Sequence, residues 1–107
     1  KKFDEVKKFC ESLGLIVMEM TAEEHDKAMS YSQALTHFIG RTIENMNIHK
    51  TKITTRTFDD LIDIVNIIKD DSNELFENIE TMNPFAKEVR KKFLDESKKL
   101  DDSLNKI

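Results

Sequence analysis

The sequence predicts an all-α fold built from long helices, and three observations carry that prediction. Two glycines and one proline in 107 residues leave the chain few places to turn. Apolar residues recur three and four positions apart along most of the chain, the spacing of one helix face. Capping signals stand at the starts and ends of those periodic segments. With 38% hydrophobic and 36% charged residues the chain reads as globular, with enough length for one modest core. No apolar run approaches the eighteen or so residues of a membrane span. The charges scattered through "KKFDEVKKFCESLG" do not fit a secretory signal, so a cytoplasmic location is expected. A net charge of −4 with both signs interspersed leaves no footprint for a nucleic acid or an anionic membrane.

The elements follow in order. Phe3, Val6, Phe9, Cys10 and Leu13 share one face of a first helix, and Gly14 follows as its C-terminal cap. Cys10, the only cysteine, lies on that face and is expected to be a buried structural thiol. The run "LIVMEM", residues 15–20, is apolar except for Glu19 and too short for a helix, so it is predicted as a buried strand. One strand among helices has no ladder partner, and buried unpaired backbone is costly. The first twenty residues therefore read as the tail of a different domain, with residues 21–107 forming the helical domain.

"TAEE" at residues 21–24 is a capping box, opening a helix predicted to run to about Asn47. A polar, β-branched connection follows over residues 48–57. Thr57 with Asp60 is predicted to cap the next helix, "FDDLIDIVNIIKD", whose Phe58, Leu61, Ile62, Ile64, Val65, Ile67 and Ile68 cover most of its circumference. A helix apolar nearly all round is central to its domain or sandwiched in an oligomer. Ser72 caps a short helix to about Glu80, and Asn83-Pro84 starts the last one, with proline at its first position.

Two histidines, His25 and His37, lie on the long helix. Twelve positions correspond to about 120° past whole turns and about 18 Å of rise, so they cannot share a metal or a substrate atom. On the same wheel Ala28, Tyr31, Leu35, Phe38, Ile39, Ile43 and Met46 form an apolar stripe. Roughly opposite lie Ser30, Gln33, His37 and Arg41, the last three spaced i, i+4, i+8. This stripe is either a solvated face or a binding face. The surface of a chain this charged is usually Lys and Glu; here Gln, His and Arg stand together, suited to a carboxylate or hydroxyl, beside the small residues Ala34 and Gly40. His25, among Glu23, Glu24 and Asp26, reads as an ordinary helix-end histidine. No Gly-rich phosphate loop, nucleophile elbow or metal-spaced cluster is present, and the Glu-x-x-His spacing of metal-binding bundles is absent. By its own residues the chain is a helical packing module with one polar stripe.

"VMEMTAEEHDKAMSYSQALTHFIGRTI" resembles the segment of prephenate and arogenate dehydrogenases that joins the nucleotide-binding domain to the helical dimerisation domain. "FDDLIDIVNIIKDDSNELFENIETMNPFA" continues the resemblance through the second core helix and the start of the last one. The resemblance implies a C-terminal dimerisation domain of long helices, preceded by one helix and one strand of a Rossmann domain. It also implies NAD-dependent oxidative decarboxylation of prephenate to 4-hydroxyphenylpyruvate in tyrosine biosynthesis. The NAD loop and catalytic histidine would lie upstream, leaving no catalytic residue and no metal in this chain, and the helices would interlock in a homodimer. His37 matches a histidine lining the pocket for prephenate or arogenate, with Gln33 and Arg41 on the same stripe. The family's arginine on the second core helix falls at about Ile67, so Arg41 or Arg56 is expected to take over that anion contact. A non-enzymatic helical interaction module is the alternative reading.

Overall fold

The structure, a computed structural model, describes residues 2–107 and is built from α1 (Lys2–Ser12), α2 (Ala22–Met29), a π-helical segment (Ser30–Leu35), α3 (Thr36–Asn45), α4 (Arg56–Ile68), α5 (Asn73–Met82) and α6 (Ala86–Leu104). The class is all-α, and no strand occurs among the described residues.

The capping chemistry is local and forms as the sequence implies. At the end of α1, Leu15 N–H donates to Cys10 O and Gly14 N–H to Glu11 O, with Gly14 at φ +81°, a Schellman closure that favours glycine. Thr21 and Glu24 exchange hydrogen bonds in the capping box. Ser72 Oγ accepts from Leu75 N–H at the start of α5. Asn47, at φ +56°, ends α3 in the left-handed region that asparagine tolerates.

Four expectations need correction. Residues 15–20 form no strand; they are irregular, since a strand needs a ladder partner and the described residues provide none. Cys10 is half-exposed rather than buried, because α1 buries none of its residues. The cap of α4 is Thr55, whose hydroxyl accepts from Phe58 N–H, while Thr57 lies inside the first turn. The last helix starts at Ala86; Pro84 belongs to the preceding turn, which Asn83 closes by accepting from Phe85 N–H.

The long helix also departs from a plain α wheel. Ser30 and Ser32 hydroxyls donate to Lys27 O and Ala28 O, competing for carbonyls of the α ladder where the π segment begins. The wider turn shifts the register, and the residues turned deepest inward are small ones, Ser30, Ala34 and Gly40, not the predicted stripe. Tyr31 and Met46 of that stripe are exposed. Against the small-residue face pack α6, through Ala86 and Val89, and α4, through Ile62, Val65 and Ile68. Phe38 meets Phe93 edge to face at 6.4 Å, tying α3 to α6. Asn83 Nδ2 donates to Asp26 O at 2.7 Å, tying the turn before α6 to α2.

Gly40 sets the distance between α3 and α4. A Cβ there would lie 2.6 Å from Ile68 Cδ1, and Ile68 is only 3% exposed, so it has little room to move. Gly40→Ala is expected to destabilise the protein by about 1 kcal/mol, overpacking outweighing the helix propensity it gains. Ile68→Val deletes the clashing methyl at a cost of about 1 kcal/mol. The double variant should then be no less stable than Ile68→Val alone; additive losses in urea unfolding would refute this account of the crossing.

Many large apolar side chains stay open to solvent. The molecule extends 60 × 32 × 29 Å with a radius of gyration of 18.7 Å, against about 13 Å for a compact chain of this length. On α4, Ile64 is 41% and Ile67 78% exposed, so one side only of this helix is covered. Leu100 and Leu104 of α6 are open, as are Phe3, Val6 and Phe9 of α1.

Candidate functional site

The polar stripe of the long helix does not face solvent. Gln33, His37 and Arg41 are all half-buried, and His37 and Arg41 reach the connection between α4 and α5. That connection is short because α4 ends at Ile68 and Ser72 already caps α5. It brings Asp71 to His37, with Asp71 Oδ2 3.1 Å from His37 Nδ1. Both atoms are buried, and beyond this ion-pair contact neither has a hydrogen-bond partner among the described residues.

Arg41, one turn further along, holds the same connection. Its Nη2 donates to Asp71 O at 3.2 Å and its Nη1 to Asn73 Oδ1 at 2.9 Å. Its guanidinium carbon lies over the Phe76 ring, 4.7 Å from its centre, a cation–π contact. Arginine suits this place because its planar fork reaches two acceptors while its charge sits over a ring.

On the far side of α5 the carboxyl of Glu80 is nearly inaccessible, with the residue 5% exposed. Arg90 Nη1 of α6 donates to both Glu80 O, at 2.8 Å, and Glu80 Oε1, at 3.0 Å. Burial pushes the Glu80 carboxyl above its ordinary value of 4.5; the hydrogen bond and charge of Arg90 and, less strongly, the charge of His37 pull it back. His37 therefore stands within electrostatic reach of two acids, Asp71 and Glu80.

The other histidines take no part. His25 is exposed beside Asp26, its Nδ1 3.6 Å from Oδ1, and His49 lies in the exposed connection before α4. No group of three or more His, Cys, Asp or Glu among the described residues could hold a metal. Arg56, the expected alternative anion contact, opens α4, whereas Asp71 follows its other end. The thirteen residues of α4 separate them by about 20 Å, so Arg56 does not reach His37 within one chain. A groove of about 410 Å³ lined by Lys27, Tyr31, Phe85, Glu88 and Lys92 lies elsewhere, and the one buried hydroxyl at its wall, that of Ser30, is already committed to Lys27 O.

Sequence reasoning found His37, Gln33 and Arg41 on one face but missed Asp71, Asn73, Glu80 and Arg90. Glu80 was within reach of it: Phe76, Ile79, Glu80 and Asn83 share the inward face of α5, so a glutamate there needed a buried partner. Asp71 carried no signal, since an Asp-Asp-Ser run before a helix is ordinary capping chemistry.

Fold and site together define a class: an all-α domain that turns a histidine-centred polar face onto a helix connection. Within that class the chain belongs to the family described as TYRAAT1-like, C-terminal domain, whose pattern matches residues 42–106. It is 36% identical over 78 residues to arogenate dehydrogenase 2, chloroplastic, of Arabidopsis thaliana, which covers 73% of this chain and 22% of that protein. To arogenate dehydrogenase 1, chloroplastic, of the same plant it is 32% identical over 80 residues, 75% of this chain and 12% of that one. A probable arogenate/prephenate dehydrogenase of Methanocaldococcus jannaschii is 27% identical over 107 residues, 94% of this chain and 24% of its own length. The chain thus spans between an eighth and a quarter of the length of these relatives.

Proposed function

We propose that this chain is the C-terminal helical domain of an NAD-dependent arogenate or prephenate dehydrogenase, supplying a dimer interface and the His37 side of the substrate pocket. The reaction is an oxidative decarboxylation, which for prephenate yields 4-hydroxyphenylpyruvate, carbon dioxide and NADH. Arogenate carries an amino group in place of the keto oxygen, and the names of the relatives favour it as the other candidate substrate. The observation that carries the reading is the half-buried His37, held beside Asp71 on a face shared with Gln33, in a chain of this family. His37 and Gln33 offer hydrogen bonds to a substrate carboxylate or hydroxyl. Arg41 contributes its positive charge to the pocket while its two terminal nitrogens stay on Asn73 and Asp71.

The nucleotide is not held by these residues. Both glycines are committed elsewhere, Gly14 to a helix cap and Gly40 to a helix crossing, so neither offers a cradle for a pyrophosphate. In this reading residues 1–20 are the end of the upstream nucleotide-binding domain and residues 21–107 the helical domain. The open apolar face of α1 supports that division, since it has nothing to pack on here. The exposed Ile64, Ile67, Leu100 and Leu104 support a homodimer through α4 and α6. No helix among the described residues is long and apolar enough to cross a membrane. A cytoplasmic enzyme completes the reading.

The test uses the full-length protein with NAD and either prephenate or arogenate, following NADH, with sedimentation to determine its assembly. Turnover of one compound by a dimer is the expected result. Absence of NADH with both would leave a helical interaction module as the better description.

A further inference from the structure

We propose that Asp71 is a positioning residue for His37, and that Arg41 acts on the substrate through Asp71 by pinning the connection that carries it. The inference rests on the dehydrogenase reading and deepens it by assigning which ring nitrogen of His37 meets the substrate. A carboxylate oxygen only accepts hydrogen bonds. Asp71 Oδ2 and His37 Nδ1 face each other at 3.1 Å as an ion-pair contact, both buried and neither with a hydrogen-bond partner elsewhere among the described residues. The contact satisfies both atoms only when Nδ1 carries the proton. Nε2, on the opposite side of the ring, is then the atom left for the ligand.

The carboxylate can hold the ring because it is itself held. Asp71 N–H donates to Ile68 O at 3.0 Å, and Ile68 is buried against Gly40. Asp71 O accepts from Arg41 Nη2, Arg41 Nη1 reaches Asn73 across the start of α5, and the guanidinium lies on Phe76. Arg41 follows His37 by one helical turn, so the helix that presents the imidazole also clamps its partner. A substrate hydroxyl donating to Nε2 thus meets a ring already fixed in orientation and tautomer, which lowers the ordering cost of binding.

The experiment is a double-mutant cycle in the full-length enzyme with Asp71→Ala, Asp71→Asn, His37→Ala and the double Asp71→Ala, His37→Ala. Histidine 15N shifts of the wild type and the Asp71 variants report which ring nitrogen of His37 is protonated. Asp71→Ala is expected to raise KM about tenfold, the loss of one charge-assisted hydrogen bond, with kcat changed less. It should also shift the His37 proton population away from Nδ1. Asp71→Asn, which keeps an acceptor and the volume, should recover much of the KM. In the His37→Ala background Asp71→Ala should have no further effect on KM. Additive KM effects, or a tautomer unchanged by Asp71→Ala, would overturn the assignment while leaving the dehydrogenase reading standing. Failure of the wild type to turn over either compound would overturn both.

Discussion

Replacing His37 by alanine in the full-length enzyme is expected to lower kcat/KM by between about ten- and a hundredfold. That range corresponds to about 1.5–3 kcal/mol, the cost of leaving a buried substrate group without its hydrogen-bond partner. The loss should fall mainly on KM, because His37 would bind the substrate equally in the ground and transition states rather than move its proton. Stability should change little by comparison, since the side chain is 22% exposed and forms no part of the apolar core. Steady-state kinetics with both candidate substrates, alongside thermal unfolding, make the check. A change under twofold in kcat/KM would remove the polar stripe from the substrate pocket.

The largest effect on stability is expected at the Glu80–Arg90 pair. Glu80→Ala leaves Arg90, 23% exposed, without its carboxylate and opens space between α5 and α6. A loss of about 3 kcal/mol is expected, the cost of breaking a buried pair from one side. Glu80→Gln keeps an acceptor for Arg90 and removes only the charge, so it should cost much less. The two proteins should also differ in pH response. Burial raises the Glu80 carboxyl above 4.5, so the folded state binds its proton more tightly than the unfolded chain does. That contribution is complete below the unfolded value and is lost as pH rises through the folded one. The advantage of the wild type over Glu80→Gln should therefore shrink from about pH 4 upward. Urea unfolding of both across that range reads it directly. A constant difference would mean that burial does not govern the Glu80 proton.

Much of this protein was legible because its determinants are local. The Thr21–Glu24 box, the Ser72 cap and the Gly14 closure each span six residues or fewer, and all three form as written in the sequence. The two-residue errors, Thr55 for Thr57 and Ala86 for Pro84, arose where several hydroxyls or a turn compete for one helix start. Residues 15–20 show the reverse: their apolar pattern is strand-like, but pairing is not a property of a segment alone.

The amino-acid pattern alone established the all-α class, the caps of α1, α2 and α5, and the common face of His37 and Arg41, because a 3.6-residue repeat and a cap act within a few residues. It could not say which way that face turns. The π segment rotates the helix so that Ser30, Ala34 and Gly40 go deepest, and this follows from competition among hydroxyls, backbone and packing. Nor could it supply the partners, since Arg41 meets Asp71 and Asn73 across 30 and 32 positions of chain. Such contacts exist only after α4 has crossed α3 at Gly40, and it is that crossing which converts a stripe of polar residues into a site.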